Sequence, residues 1–194
     1  MYITSHASCG PIVDISVTGE VRIARMTYQK KGGFPTVRHI MESGKNGQST
    51  LQTLRGGVLK EGAMDRNNFS MRLLSEPILI EFGKDQKHPG GTHIKVVYPV
   101  FVPEEQLRDF EQEDDDDPDE IHGAITMVSA IDLIEETKGN TVPFHYRVTR
   151  SVLVWAAVEH PQVFSRYRDL VMSWSRPKLT NEQRVAIQAY PGML

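Results

Sequence analysis

In most segments between Val13 and Val148, apolar residues return at every second position, and only beyond Pro161 does a long stripe take helical spacing. A period of two sends alternate side chains to opposite faces of a pleated strand, so most of the chain is committed to β-sheet. Val13, Ile15 and Val17 alternate with Asp14, Ser16 and Thr18, and Gly19 supplies a turn before the next apolar run, which predicts a hairpin over 12–28. Further strands are predicted at 69–74, 77–82 and 92–102. Ile125, Met127, Ser129, Ile131 and Leu133 form another alternating set, and so do Phe144, Tyr146 and Val148. The run 152–158 is apolar at every position, as in a strand covered on both faces.

Helical signals are shorter. Val37, Ile40 and Met41 share one helical face, and so do Leu51, Leu54 and Val58, the latter behind a capping box from Ser49 and Gln52. At the C-terminal end, Pro161 opens a stripe of Val163, Phe164, Tyr167, Leu170, Val171 and Trp174. Thr180 and Gln183 cap a last helix through Tyr190, stopped by Pro191-Gly192. The sum is an α+β fold: a mainly antiparallel β-sheet with short helices and a C-terminal pair of helices. Residues 1–194 read as a single domain with an acidic flexible loop at about 111–120.

Charge is segregated. The stretch 104–120 holds eleven carboxylates and one cation, Arg108, so the net charge of −3 hides a remainder of +7. Residues 1–72 carry ten Lys and Arg against five Asp and Glu. A basic body of this kind attracts polyanions. The candidate phosphate contacts are Arg22, Arg25, Lys30, Lys31, Arg38, Lys45, Arg55 and Lys60, with Tyr28 and Phe34 flanking the Lys30-Lys31 pair as stacking candidates. Glu113, Asp114, Asp115, Asp116 and Asp117 form the loop expected to compete for that basic surface or to dock a basic partner.

Catalytic and metal motifs do not emerge. Cys9 is the one cysteine, which rules out an internal disulfide and favours a reducing, intracellular setting. The longest apolar run is far short of the roughly 20 residues of a membrane span, and no basic segment leads into an apolar one at the start, so no signal peptide is expected. His6 and Cys9 lack the further paired ligands a structural zinc requires, and the contiguous aspartates lack the spaced acids and turn glycine of a calcium loop. No cofactor or metal is expected. The segment Gly44-Lys45-Asn46-Gly47-Gln48-Ser49-Thr50 contains the residues of a phosphate loop in scrambled order, and reads as a turn between two short helices.

The last residues, Tyr190-Pro191-Gly192-Met193-Leu194, resemble the Tyr-Pro-x-Leu class of short peptides with which viral structural proteins recruit host budding machinery. With the charge pattern, this leads to the expectation of a non-enzymatic viral or phage assembly protein. It would self-associate and bind nucleic acid or another anionic surface. The alternatives are a protein–protein adaptor, or a small-molecule enzyme or ligand-binding domain. The latter's site would be assembled from His93, Lys95, His145 and Arg147, all on predicted strands.

Overall fold

The computed structural model describes residues 1–16, 19–32, 36–45, 47–61, 72–74, 76–101, 112–114, 117–139 and 144–193. Its strands are β1 (Ile3–Gly10), β2 (Ile12–Ile15), β3 (Val21–Lys30), β4 (Thr36–Arg38), β5 (Ile40–Ser43), β6 (Arg72–Leu73), β7 (Leu79–Lys84), β8 (Thr92–Val97), β9 (Val100–Phe101), β10 (Gln112–Asp114) and β11 (Asp117–Ser129). The helices are α1 (Thr50–Glu61), α2 (Ala130–Thr137), α3 (Phe144–Glu159), α4 (Arg168–Ser173) and α5 (Asn181–Gln188), with a 3-10 turn at Pro191–Met193. This is the expected α+β class, and most strand pairs are antiparallel.

Two sheets result, in the orders β5-β1-β8-β7 and β10-β11-β3-β2-β9-β6, with β4 pairing β3. Two segments serve both. Pro11 separates β1 from β2, and Tyr98-Pro99 separates β8 from β9. A proline has no N–H for the ladder and a fixed φ, so pairing is interrupted and the chain bends across. The two bent segments run parallel in both sheets, with Ser5 opposite His93 and Ile12 opposite Val100. At the bends, Tyr98 N–H donates to Cys9 O (3.0 Å) and Val100 N–H to Pro11 O (2.9 Å).

Helices cover both sides of this frame. Leu54 and Val58 of α1 are fully buried against Ile94 and Val96 of the first sheet and Ala24 and Met26 of the second. Gly10 permits the close approach: a Cβ there would lie 2.5 Å from Leu54 Cδ1 and 2.9 Å from Val100 Cγ2. On the other side, Val148 of α3 meets Cys9, Leu79 and Val97, while Val152, Leu153 and Ala156 meet Val13 and Ile23. The chain is thus layered helix–sheet–helix.

Several expectations change in detail. Residues 152–158 are not a central strand but the middle of α3, which begins at Phe144, so His145 and Arg147 are helical too. A run apolar at every position carries no period, and here 148, 149, 152, 153, 156 and 157 are the most deeply buried positions, the spacing of a helix. Val37, Ile40 and Met41 lie on strands, because Val37 pairs with Thr27 of β3, and Ile40 and Met41 with Gly10 and Cys9 of β1. β11 ends at Ser129, whose hydroxyl accepts from Asp132 N–H (3.2 Å) and starts α2, so Ile131 and Leu133 leave the strand. The stripe after Pro161 becomes turns followed by the short α4. The Ser49/Gln52 and Thr180/Gln183 capping boxes form as read. Of the strand predicted at 69–74, residues 72–73 form β6, and 69–71 lie outside the described residues.

Leu54 is the side chain on which both sheets close. Leu54→Ala is expected to lower the unfolding free energy by about 2–5 kcal/mol, measured as the shift of the urea midpoint at constant m-value.

Candidate functional site

A cleft of about 730 Å³ opens where β1 begins and β7 ends. β1 contributes Thr4, Ser5 and His6, the β7–β8 hairpin Lys84 to His88 with His93 and Lys95, the segment before α1 Ser43, Gly44, Lys45, Gly47 and Gln48, and the C-terminal turn Tyr190 to Gly192. Among the described residues, four lysines (45, 84, 87 and 95) face it against one carboxylate, Asp85. Lys45, Lys84 and Lys87 are exposed and form no ion pair among the described residues.

Asp85 organises this region. Its Oδ2 accepts from Thr4 Oγ1 (2.6 Å), Ser5 Oγ (2.6 Å) and His88 Nδ1 (3.0 Å). Its Oδ1 accepts from the backbone N–H of Lys87 (2.8 Å) and His88 (3.2 Å). The hydrogen bonds from Ser5 and Thr4 lead in holding the carboxyl far below the usual carboxylate range. The carboxylate therefore stays ionised, with its lone pairs committed to the fold and not open to a ligand.

Ser5, His93 and Asp85 contain the residue types of a hydrolytic triad in the wrong order. The serine hydroxyl donates to Asp85, so its lone pair accepts from His93 Nδ1–H (2.9 Å). A nucleophilic serine needs the reverse, with histidine taking its proton. What this arrangement fixes is the tautomer: His93 carries its proton on Nδ1 and turns an Nε2 lone pair outward, with no partner for Nε2 among the described residues. Burial pushes His93 below the ordinary imidazole range, with Asp85 opposing, so the ring is neutral at pH 7.

His6 is satisfied at both nitrogens, by Tyr190 OH at Nδ1 (2.7 Å) and Thr53 Oγ1 at Nε2 (3.0 Å). Burial, with His93 adding to it, lowers its pKa. Its ring also meets Tyr190 edge to face at 5.7 Å. Gly44 must be glycine here, because a Cβ would come within 2.3 Å of the His6 ring. The loop Gly44–Thr50 joins a strand, β5, to a helix, α1, and not two helices. That is the context a phosphate loop requires, although the glycine and lysine order still departs from the signature. No acid occupies the first turn of α1 to offset its positive end.

The basic residues picked from sequence disperse. Arg22 pairs with Asp14 (2.5 Å) and Arg25 with Glu136, and their odd separation on β3 sends them to opposite faces. Lys31 is exposed in the turn after β3, and Arg55 is exposed on α1. Lys45 alone of that set lines the cleft. Lys30, Arg38 and Lys60 lie on β3, β4 and α1, with side chains outside the description. Tyr28 is on β3 opposite His122, and Phe34 lies outside the described residues. Glu113 and Asp114 form part of β10, Asp117 opens β11, and Asp115 and Asp116 are outside the described residues. His93 and Lys95 do share the cleft, whereas Arg147 reaches from α3 to Glu81 (3.3 Å). Sequence reading missed Ser5, Lys84, Asp85, Lys87 and Tyr190 as site residues. Lys84, Asp85 and Lys87 fall in a stretch rich in Gly, Lys and Pro, which was the one local signal.

No protein-family model matches the chain, and no curated protein resembles it in sequence. Solved structures do resemble it in fold. A possible asymmetric diadenosine tetraphosphate (Ap4A) hydrolase from Jonesia denitrificans superposes with a TM-score of 0.50 at 11% identity, over 84% of this chain and 97% of that one. An Ap4A hydrolase from C. elegans does so with a TM-score of 0.50 at 10% identity, over 80% and 99%. A Nudix hydrolase from Nitrosomonas europaea gives a TM-score of 0.46 at 12% identity, over 76% and 87%. The likeness is one of fold. It corrects the expectation of a non-enzymatic viral or phage structural protein, since these neighbours are small-molecule hydrolases. The terminal Tyr-Pro segment is likewise packed onto His6 within the chain.

Phosphoanhydride hydrolysis often draws on a divalent cation held by carboxylates. Among the described residues no group of three His, Cys, Asp or Glu is arranged to hold one, and Glu61 is the only acid in the sequence of α1.

Because the folded pKa of Asp85 lies below its unfolded value, the stability it contributes is complete above about pH 4 and declines as pH falls further. Asp85→Asn puts an amide N–H₂ against some of its donors. The variant is therefore expected to melt lower than the native chain at neutral pH, and the gap to narrow on acidification below that point. A gap unchanged with pH would remove the charge from the explanation.

Proposed function

We propose that this chain binds a phosphorylated small molecule in the lysine-lined cleft. The observation that carries the reading is the convergence of Lys45, Lys84, Lys87 and Lys95 on one concave polar site where Asp85, the one carboxylate among the described lining residues, is bound by five hydrogen-bond donors of the chain. Lysines act as point charges toward phosphate, and the cleft volume falls within the about 300–1,000 Å³ typical of small-ligand sites. The Ap4A hydrolases with this fold make a nucleoside oligophosphate a reasonable first ligand class.

A second reading follows from His93. Its neutral ring with a free Nε2 lone pair at the cleft is the form a general base requires. Water would give its proton to Nε2 as its oxygen bonds phosphorus and the bridging P–O bond breaks toward the departing phosphate.

Calorimetric titration with ATP and inorganic tripolyphosphate tests the proposal. Binding is expected to weaken with salt, and by about tenfold in Lys84→Gln/Lys87→Gln, which corresponds to about 1.4 kcal/mol. Absence of binding, or binding indifferent to both lysines, would sink it. Phosphate release lost in His93→Gln with affinity retained would support the second reading, and no release from the native chain would leave a pure binding protein.

A further inference from the structure

We infer that a second cavity, sharing no lining residue with the lysine cleft, binds an aliphatic carboxylate. It holds about 500 Å³ between the edge of β7, α3 and the C-terminal chain. Ile80, Val154, Leu179, Ile187 and Met193 supply aliphatic walls, and Trp174 one aromatic surface. The Arg150 guanidinium already covers one face of that indole, 4.7 Å from the ring centre. Walls of this kind favour a flexible alkyl chain over a stacked ring.

The mouth is cationic. Among the described residues, Arg176, Lys178 and Arg184 line it against one carboxylate, Glu76. Arg176 approaches Glu81 at 3.6 Å, but the same Glu81 oxygen also receives Arg147 at 3.3 Å, so one carboxylate faces two guanidiniums. Arg184 donates its Nε to Leu179 O (3.3 Å), which holds its guanidinium at the rim. Lys178 and Arg184 form no ion pair among the described residues. Guanidiniums match a carboxylate head in geometry as well as in charge. A compact polyphosphate would leave the apolar walls uncovered, and a neutral amphiphile would leave the cations unused.

Trp174 reports on its own cavity once Trp155 is replaced. Titrating Trp155→Phe protein with decanoate, kept below micelle formation, is expected to change Trp174 emission saturably at one site, with calorimetry giving the same affinity. Affinity should fall about tenfold in Arg176→Gln/Arg184→Gln, the worth of one charge-assisted hydrogen bond, and similarly for octyl glucoside as a neutral-headed probe. Val154→Phe, which fills the cavity, should abolish the signal while the thermal midpoint shows the fold intact; if that variant unfolds, the arginine pair decides. Lack of saturable binding, or equal affinity in the double variant, would overturn the inference. Neither result bears on ATP binding in the lysine cleft.

Discussion

Everything in this architecture depends on two strands that bend. Pro11 and Pro99 interrupt two ladders, and by doing so carry each segment from one sheet into the other, side by side and parallel. The two sheets therefore share a spine and cannot shift independently. Gly10, at the bend, leaves room for Leu54 to enter between them, and α1 is seated by that contact. A side chain at Gly10 would push the helix off both sheets at once.

The polar cleft inherits its geometry from the same spine. β1 and β8 begin side by side, which brings Ser5 opposite His93. Asp85 then ties the β7–β8 hairpin back onto Thr4 and Ser5, so its lysines are presented by a pinned loop. Across the cleft, His6 anchors Tyr190, and with it the end of the chain. The buried carboxylate is thus structural, and the ligand-facing charge is left to lysine. The net charge of −3 does not conflict with this cationic site, because eleven of the carboxylates lie in 104–120, and none of these is among the cleft's described lining residues.

The two cavities draw on different ends of β7 and differ in chemistry. The lysine cleft has hydrated point charges around a polar floor, as suits phosphate. The second has guanidiniums at the mouth of aliphatic walls. The difference is one of desolvation: an ammonium keeps its water readily in an open polar site, while the more weakly hydrated guanidinium tolerates an apolar rim.

From its residues alone, the chain determined its fold class, the β2–β3 hairpin turning at Gly19, and both capping boxes, because these depend on period and on contacts within a few residues. His93 and Lys95 were also recognised as neighbours on one strand that could contribute to a site. What period and composition could not settle was the uniformly apolar run in α3, or the weak helical spacing at 37–41, where pairing with β1 and β3 prevailed. The charge count misled for a related reason: Arg22 and Arg25 are close in sequence yet face apart across a sheet and are neutralised by Asp14 and Glu136. The cleft joins residues from Thr4 to Gly192, and within it His6 bonds Tyr190, 184 positions away. No local signal encodes that pairing; it exists only once the sheets have closed on Leu54 and brought both ends of the chain to the same place.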